Sequence, residues 1–480
     1  VIIFFRLLKK LFSNAFIYGL APFIPRIIGI LVLPIVTKYL TSEDYGIYGI
    51  ITAYITSISI LQELGLKVVF TNSFYYYSGQ YKWAWRQLYG FLLLWNVLFG
   101  ILAGVIIYLL VPPEANDNRL VIAILSILPL CTFGPTGTIA TLKYQIHSQP
   151  LPIATRVVLF GFLTLALQVY TIAYLKLGYM GWIWSTFIST VGLNMSYWYV
   201  VNIKEGIKPI FNFKWRFVRN SLKISLPMVP HNYASFLLNS SDRIVMDAIK
   251  VEAAPIGRYS LASQFSSIML SAGVALCTAL GPMLNESYKV SDENRVRYLI
   301  FSSQSSFLSL CFLVCLWSKE GLMILIRNDE LKSVYPLLII LVMAHSSRPI
   351  FQGAIHRLFY FQKAGRLWQI TLTAGVGNVI ANLIFIPKFG IMAAALNTFF
   401  AFMYMSYIGY YNKSYKELRT KEYYPMTWLI LTIFLTISAY YLVELAFLYK
   451  FLLSILFIGC TLLSLYKFRL QFYLNASNKP

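Results

Sequence analysis

Three arginines stand in long apolar stretches of this 480-residue chain: Arg26, Arg243 and Arg348. An arginine at the centre of a membrane helix costs roughly 2.5–3.5 kcal/mol on insertion scales, so a chain that keeps several has a use for them. A guanidinium offers a planar fork of donors whose two parallel hydrogen bonds fit a carboxylate or a phosphate. The chemistry implied is recognition of an anionic group inside a bilayer.

The three are not equivalent. Arg26 has no acid within a turn of its own helix; it either pairs with Glu63 or Asp242 across a helix interface or meets an anionic ligand. Arg348 has His345, Ser346 and Ser347 for neighbours and no acid nearby. Arg243 is balanced between structure and binding, because Asp247 lies four residues on, where a helix brings both to one face. Asp242 projects about 100° away from Arg243 and is a candidate for ion coupling. Glu63 is a second coupling candidate, although it precedes Lys67 by four residues in the order that favours a helical ion pair. Near the inner end of the Arg348 helix lie His356 and Arg357, which with Arg86 and Lys143 would make a basic funnel at an inner mouth. Headgroup contact and ordinary orientation charges account for Arg86, Lys143 and Arg357 as simply.

The elements that carry these residues must be membrane helices. The chain is 58% hydrophobic and only 12% charged, which excludes an ordinary soluble domain. Apolar runs of about 20 residues recur along it, the signature of helical spans. They predict an all-α integral membrane fold with about 14 spans: near 12–36, 45–69, 88–111, 120–142, 154–175, 181–201, 222–248, 258–284, 298–318, 335–360, 367–386, 390–411, 425–447 and 451–466. Residues 319–334 are too short to cross and belong at an interface. The net charge of +22 comes from basic residues that flank spans, not from a stripe with interleaved aromatics, so nucleic acid is excluded as a partner. With the N-terminus inside, 27 of the 40 Lys and Arg fall on inner segments and 10 on outer ones. That asymmetry places both termini in the cytoplasm.

The five cysteines lie in apolar segments without metal-type spacing, and no catalytic motif is present. Gly375-Val376-Gly377-Asn378 follows no strand, so it reads as close helix packing and not as a dinucleotide loop.

Two segments repeat. Tyr45-Gly46-Ile47-Tyr48 answers to Ile256-Gly257-Arg258-Tyr259, an offset of 211. Lys176-Leu177-Gly178-Tyr179-Met180 answers to Lys388-Phe389-Gly390-Ile391-Met392, an offset of 212. Copies six spans apart share orientation, which predicts two pseudo-symmetric six-helix lobes around a central cleft, plus two C-terminal helices. The expected divisions are an N-lobe at 1–201, a basic cytoplasmic linker at 202–221, a C-lobe at 222–411 and the extra spans with a tail at 412–480. Pro22, Pro25 and Pro34 in span 1, and Pro227 and Pro230 in span 7, predict bends in the first helix of each lobe.

The twin lobes, the turn Leu40-Thr41-Ser42-Glu43-Asp44-Tyr45-Gly46-Ile47-Tyr48 and the stretch Ser241-Asp242-Arg243-Ile244-Val245-Met246 resemble the Wzx-type polysaccharide flippases. These are relatives of lipid II flippases and MATE multidrug transporters. The resemblance covers roughly 10–411, with the last two spans as an addition common in the polysaccharide branch. It implies movement of undecaprenyl-diphosphate-linked oligosaccharide across the bacterial plasma (inner) membrane for O-antigen, capsule or other surface polysaccharide. It also implies a cationic cleft, alternating access, an H⁺ or Na⁺ gradient as the drive with no bound cofactor, and glycosyltransferases and a polymerase as working partners. A cation-coupled multidrug antiporter of the same fold is the alternative, though its cleft would favour acids over arginines. An enzyme is disfavoured, because no outer loop exceeds about 16 residues.

Overall fold

In the computed structural model of the chain, residues 23–77, 79–363, 367–418 and 421–477 are described, without the side chains of 23, 26, 27, 367 and 469–477. Every regular element among them is helical, and they group into two compact units. The first runs to Phe236 and takes back Val251–Gly257. The second comprises Leu237–Lys250 and the chain from Arg258 onward.

The first unit starts with α1 (Phe23–Val36) and α2 (Ser42–Gln62). Thr41 and Asp44 cap α2 reciprocally: the Thr41 amide donates to Asp44 Oδ2 at 2.9 Å, and the Asp44 amide to Thr41 Oγ1 at 3.1 Å. This satisfies donors that a helix start leaves unpaired. Left-handed Leu64 and Gly65 then interrupt the helix before α3 (Lys67–Tyr76). There follow α4 (Tyr81–Leu110), α5 (Arg119–Phe133), α6 (Thr136–Ile146), α7 (Leu151–Gln168) and α8 (Tyr179–Tyr199). Two apolar clusters hold them, one around Ile51, Phe99, Ile122 and Ile183, the other around Phe70, Trp85, Leu92 and Ile139. A strap, 205–214, leads to α9 (Trp215–Ser225) and α10 (Met228–Asn239).

The second unit contains α11 (Ser241–Ala248), most of α12 (Ala253–Lys289), α13 (Glu293–Leu316), α14 (Ser318–Leu325) and the short α15 (Asp329–Lys332). Next come α16 (Tyr335–Ala344), α17 (Arg348–Tyr360), α18 (Leu367–Phe389), α19 (Ile391–Ile408), α20 (Lys413–Leu418), α21 (Pro425–Leu442) and α22 (Phe447–Ser477). Leu337 to Ala344 on α16 are all buried, packed against α13, α19 and α21. Arg348 therefore sits on the most enclosed long apolar segment of the described chain.

Eleven described helices are long and apolar enough to cross a membrane. The protein is a multi-span, all-helical membrane protein, and the differences from the fourteen expected spans have local causes. Span 1 is described only from Phe23. Span 6 is a full-length helix, α8, whose Tyr, Trp, Ser and Thr lower its hydropathy. Span 7 is three helices, α9 to α11, because Pro227 removes a backbone donor and Ser240 leaves helical geometry.

The repeat reaches into backbone geometry. Gly178 and Gly390 precede α8 and α19 with φ of 54° and 65°, a region that glycine enters without strain. The fourth helix of each half is broken, and the restarts, Thr136 and Arg348, lie 212 positions apart. Gly46 and Gly257 face each other within the first unit. A Cβ on Gly46 would lie 1.9 Å from the Ala253 carbonyl oxygen, and one on Gly257 would lie 1.7 Å from that of Ser42. With 42 matching 253 and 46 matching 257, the contact is reciprocal.

Candidate functional site

Asp242 opens α11 and is 2% exposed, yet its carboxylate is held by four neutral donors. Asn382 and Asn378 on α18 donate to Oδ1 at 2.7 and 2.8 Å. Tyr259 on α12 and Thr398 on α19 donate to Oδ2 at 2.5 and 3.1 Å. Asn397 steadies Asn382 by donating to its Oδ1 at 2.9 Å, whereas Asn378 Oδ1 is buried without a partner. Four hydrogen bonds offset part of the cost of burying this carboxyl group, and the hydroxyl and amide oxygens beside it are hard donors suited to a small cation. Arg243, next along, is aimed elsewhere: its Nε donates to Ser260 Oγ at 3.0 Å.

Arg348 starts α17 after the break at His345–Ser347. Gln304 on α13 braces the break, donating to the Ser346 carbonyl at 3.1 Å and accepting from the Ile350 amide at 3.0 Å. Ser347 donates to Ser406 at 2.8 Å. The Arg348 guanidinium lies 5.7 Å from the centre of the Phe402 ring, its stem runs past Gly273, and its Nε is buried without a hydrogen bond. Among the described residues it has no ion-pair partner. A discontinuous helix whose restart carries an uncompensated arginine is equipped to receive an anion.

The other expected residues are placed differently. The side chain of Arg26 lies outside the described residues. Glu63 does not pair with Lys67, because the helix stops before Glu63 and resumes at Lys67; it accepts instead from the Thr138 hydroxyl on α6. Arg86, Lys143 and Arg357 do not stand free at a mouth. Arg86 Nε donates to the Lys208 carbonyl at 2.8 Å, and Lys143 pairs with Glu205, so both fasten the strap to the first unit. Arg357 is fully buried, paired with Glu293, bonded to the Leu418 carbonyl at 2.7 Å and faced by the rings of Tyr288, Tyr415 and Tyr423. Burial pushes the Tyr415 and Tyr423 phenols up, so both stay protonated at neutral pH.

Sequence reasoning missed Tyr259, Asn378, Asn382 and Thr398 as partners of Asp242. The available signal was an asparagine pair at i, i+4 in span 11. Close packing does not explain that segment at Gly377, where an added Cβ would meet nothing within 4 Å.

Long apolar helices that enclose a carboxylate in a polar node and a cationic helix break define a multi-span, all-helical membrane protein. The pattern of a family described as "Polysaccharide biosynthesis protein" matches residues 11–288, and the chain belongs to that family. Among solved structures it is similar to a lipid II flippase, MurJ, in an inward closed conformation, at 15% identity and a TM-score of 0.69, covering 96% of this chain and 99% of that one. An inward-facing MATE multidrug resistance transporter of the MOP superfamily aligns at 14% identity and 0.57, over 88% of this chain and 96% of that one. A MOP superfamily transporter from Pyrococcus furiosus, described as having a binding pocket of reverse polarity, aligns at 12% and 0.54, over 86% and 97%. These neighbours are flippases and transporters, not enzymes. No curated protein matches the sequence.

Proposed function

We propose that the chain is a flippase that carries undecaprenyl-diphosphate-linked oligosaccharide units across the bacterial inner membrane for surface polysaccharide assembly. Arg348 is the observation that carries this reading: an uncompensated guanidinium at a helix N-terminus, on the most enclosed span, suits a diphosphate or an acidic sugar. Family membership supports the pathway. Arg26 remains a second contact for the anion. In this reading Asp242 couples transport to an H⁺ or Na⁺ gradient, access alternates, and both termini are cytoplasmic. O-antigen or capsule is the product, with glycosyltransferases and a polymerase as neighbours in the pathway.

The test is transport of a fluorescent undecaprenyl-diphosphate glycan in proteoliposomes, beside rescue of surface polysaccharide in a flippase-null strain. Losing the Arg348 hydrogen bonds should lower substrate affinity roughly 10- to 100-fold in Arg348→Ala, with Arg348→Lys intermediate because it keeps charge without the fork. Asp242→Asn should abolish the response to the ion gradient while the protein still binds substrate. Unchanged transport in Arg348→Ala would sink the assignment. The Asp242 node also suits a cation-coupled multidrug antiporter. Drug efflux by the wild type that survives Arg348→Ala, with no glycan movement, would establish that reading instead.

A further inference from the structure

The helix α9 carries a charge pattern that the transport site does not use. Its sequence is Trp215-Arg216-Phe217-Val218-Arg219-Asn220-Ser221-Leu222-Lys223-Ile224-Ser225. Val218, Ser221 and Ser225 are buried, and Phe217 and Leu222 pack on the apolar cluster of the first unit, which fixes the inward face. Arg216, Arg219 and Lys223, spaced three and four apart, share the opposite face, and all three are exposed. Trp215 and Ile224 flank this basic strip, 59% and 57% exposed.

Nothing in the described protein neutralises the strip. No ion pair involves Arg216, Arg219 or Lys223 among the described residues, and residues 206–225 contain no Asp or Glu. The acid just before, Glu205, is engaged by Lys143 and Lys82. The helix is held in place from beneath. The Lys214 amide donates to Gln87 Oε1 at 2.7 Å, the Lys214 ammonium lies 5.4 Å from the centre of the Trp83 ring, and Trp83 in turn meets Phe217. A fixed helix with three outward cations between exposed apolar side chains matches a bilayer surface, where the cations reach headgroups and the Trp and Ile reach the acyl boundary.

We propose that α9 is a docking surface for anionic phospholipid headgroups of the leaflet it lies against. Trp215 and Ile224 insert at the boundary, and Arg216, Arg219 and Lys223 gather phosphatidylglycerol-type lipids around the first unit. The charge arithmetic is that of a polybasic segment, in which each Lys or Arg near the surface adds about a fivefold preference for acidic lipid. The occupant is a lipid of the membrane itself, not the diphosphate of a transported molecule, because the strip is exposed and not enclosed.

The experiment is native mass spectrometry of the full-length protein, delipidated and titrated with phosphatidylglycerol or phosphatidylcholine. Wild type should retain phosphatidylglycerol preferentially, and added salt should weaken that retention. The triple variant R216Q/R219Q/K223Q should lose roughly 100-fold in phosphatidylglycerol affinity, by three such steps. R216K/R219K, which keeps every charge, should retain it and so separates lipid binding from folding. Equal retention by wild type and the triple variant would overturn the proposal. So would an equal loss in K176Q/K250Q/K388Q, which removes three cations elsewhere. Displacement of the lipid by inorganic pyrophosphate at low concentration would also overturn it, since the strip would then be a site for the substrate's diphosphate.

Discussion

Arg357 and Arg348 lie on one helix and show how partners decide a charged residue's role. Arg357 has its carboxylate, a carbonyl and three aromatic faces, so its charge is spent on the fold. Removing one member of a buried pair leaves the other uncompensated. Arg357→Met should therefore destabilise the protein by about 3 kcal/mol, with R357M/E293Q less damaged than the single change. Thermal unfolding in detergent checks this; a double variant worse than the single one would mean that the pair is not the cause. Arg348 has no such partner and should tolerate truncation without loss of stability. The sequence separated Arg348 and Arg26 from Arg243 because no acid lay near either of them along the chain. It misread Arg357 because Glu293 and the tyrosines reach it from other helices.

Elements show what hydropathy makes legible. Long apolar runs located eleven helices that suit a bilayer, since length and composition alone decide that property. The breaks were harder to read. Pro227 announced one of them, but the interruptions at Leu64-Gly65 and His345–Ser347 depend on backbone angles and on braces such as Gln304. The Asp242 node was hidden for the same reason: its donors sit on three other helices, and only the asparagine pair left a local trace. The clearest element-level prediction concerns the crossing of α2 with the first turn of α12. Gly46→Ala places a methyl 1.9 Å from the Ala253 carbonyl oxygen, and backbone cannot yield as a flexible side chain can. Monodisperse protein in size-exclusion chromatography should fall sharply for Gly46→Ala and Gly257→Ala. Gly377→Ala, which meets open space, should behave as wild type.

For the whole molecule, orientation rests on the distribution of Lys and Arg, a property that no single contact encodes. In a background without cysteine, Asn220→Cys and Lys413→Cys should be labelled from the cytoplasmic side by an impermeant maleimide, and Asp117→Cys from the opposite side. Labelling of 117 and 413 from one side would invert the count of crossings between them. The duplicated architecture was visible in two short motifs, whereas the unequal use of its halves was not. The same helix break carries Thr136 in one copy and Arg348 in the other. The reciprocal glycine contact has an evolutionary consequence. Since each copy's glycine makes room for the other's backbone, a side chain gained at 46 would need retreat near 253, and one gained at 257 retreat near 42.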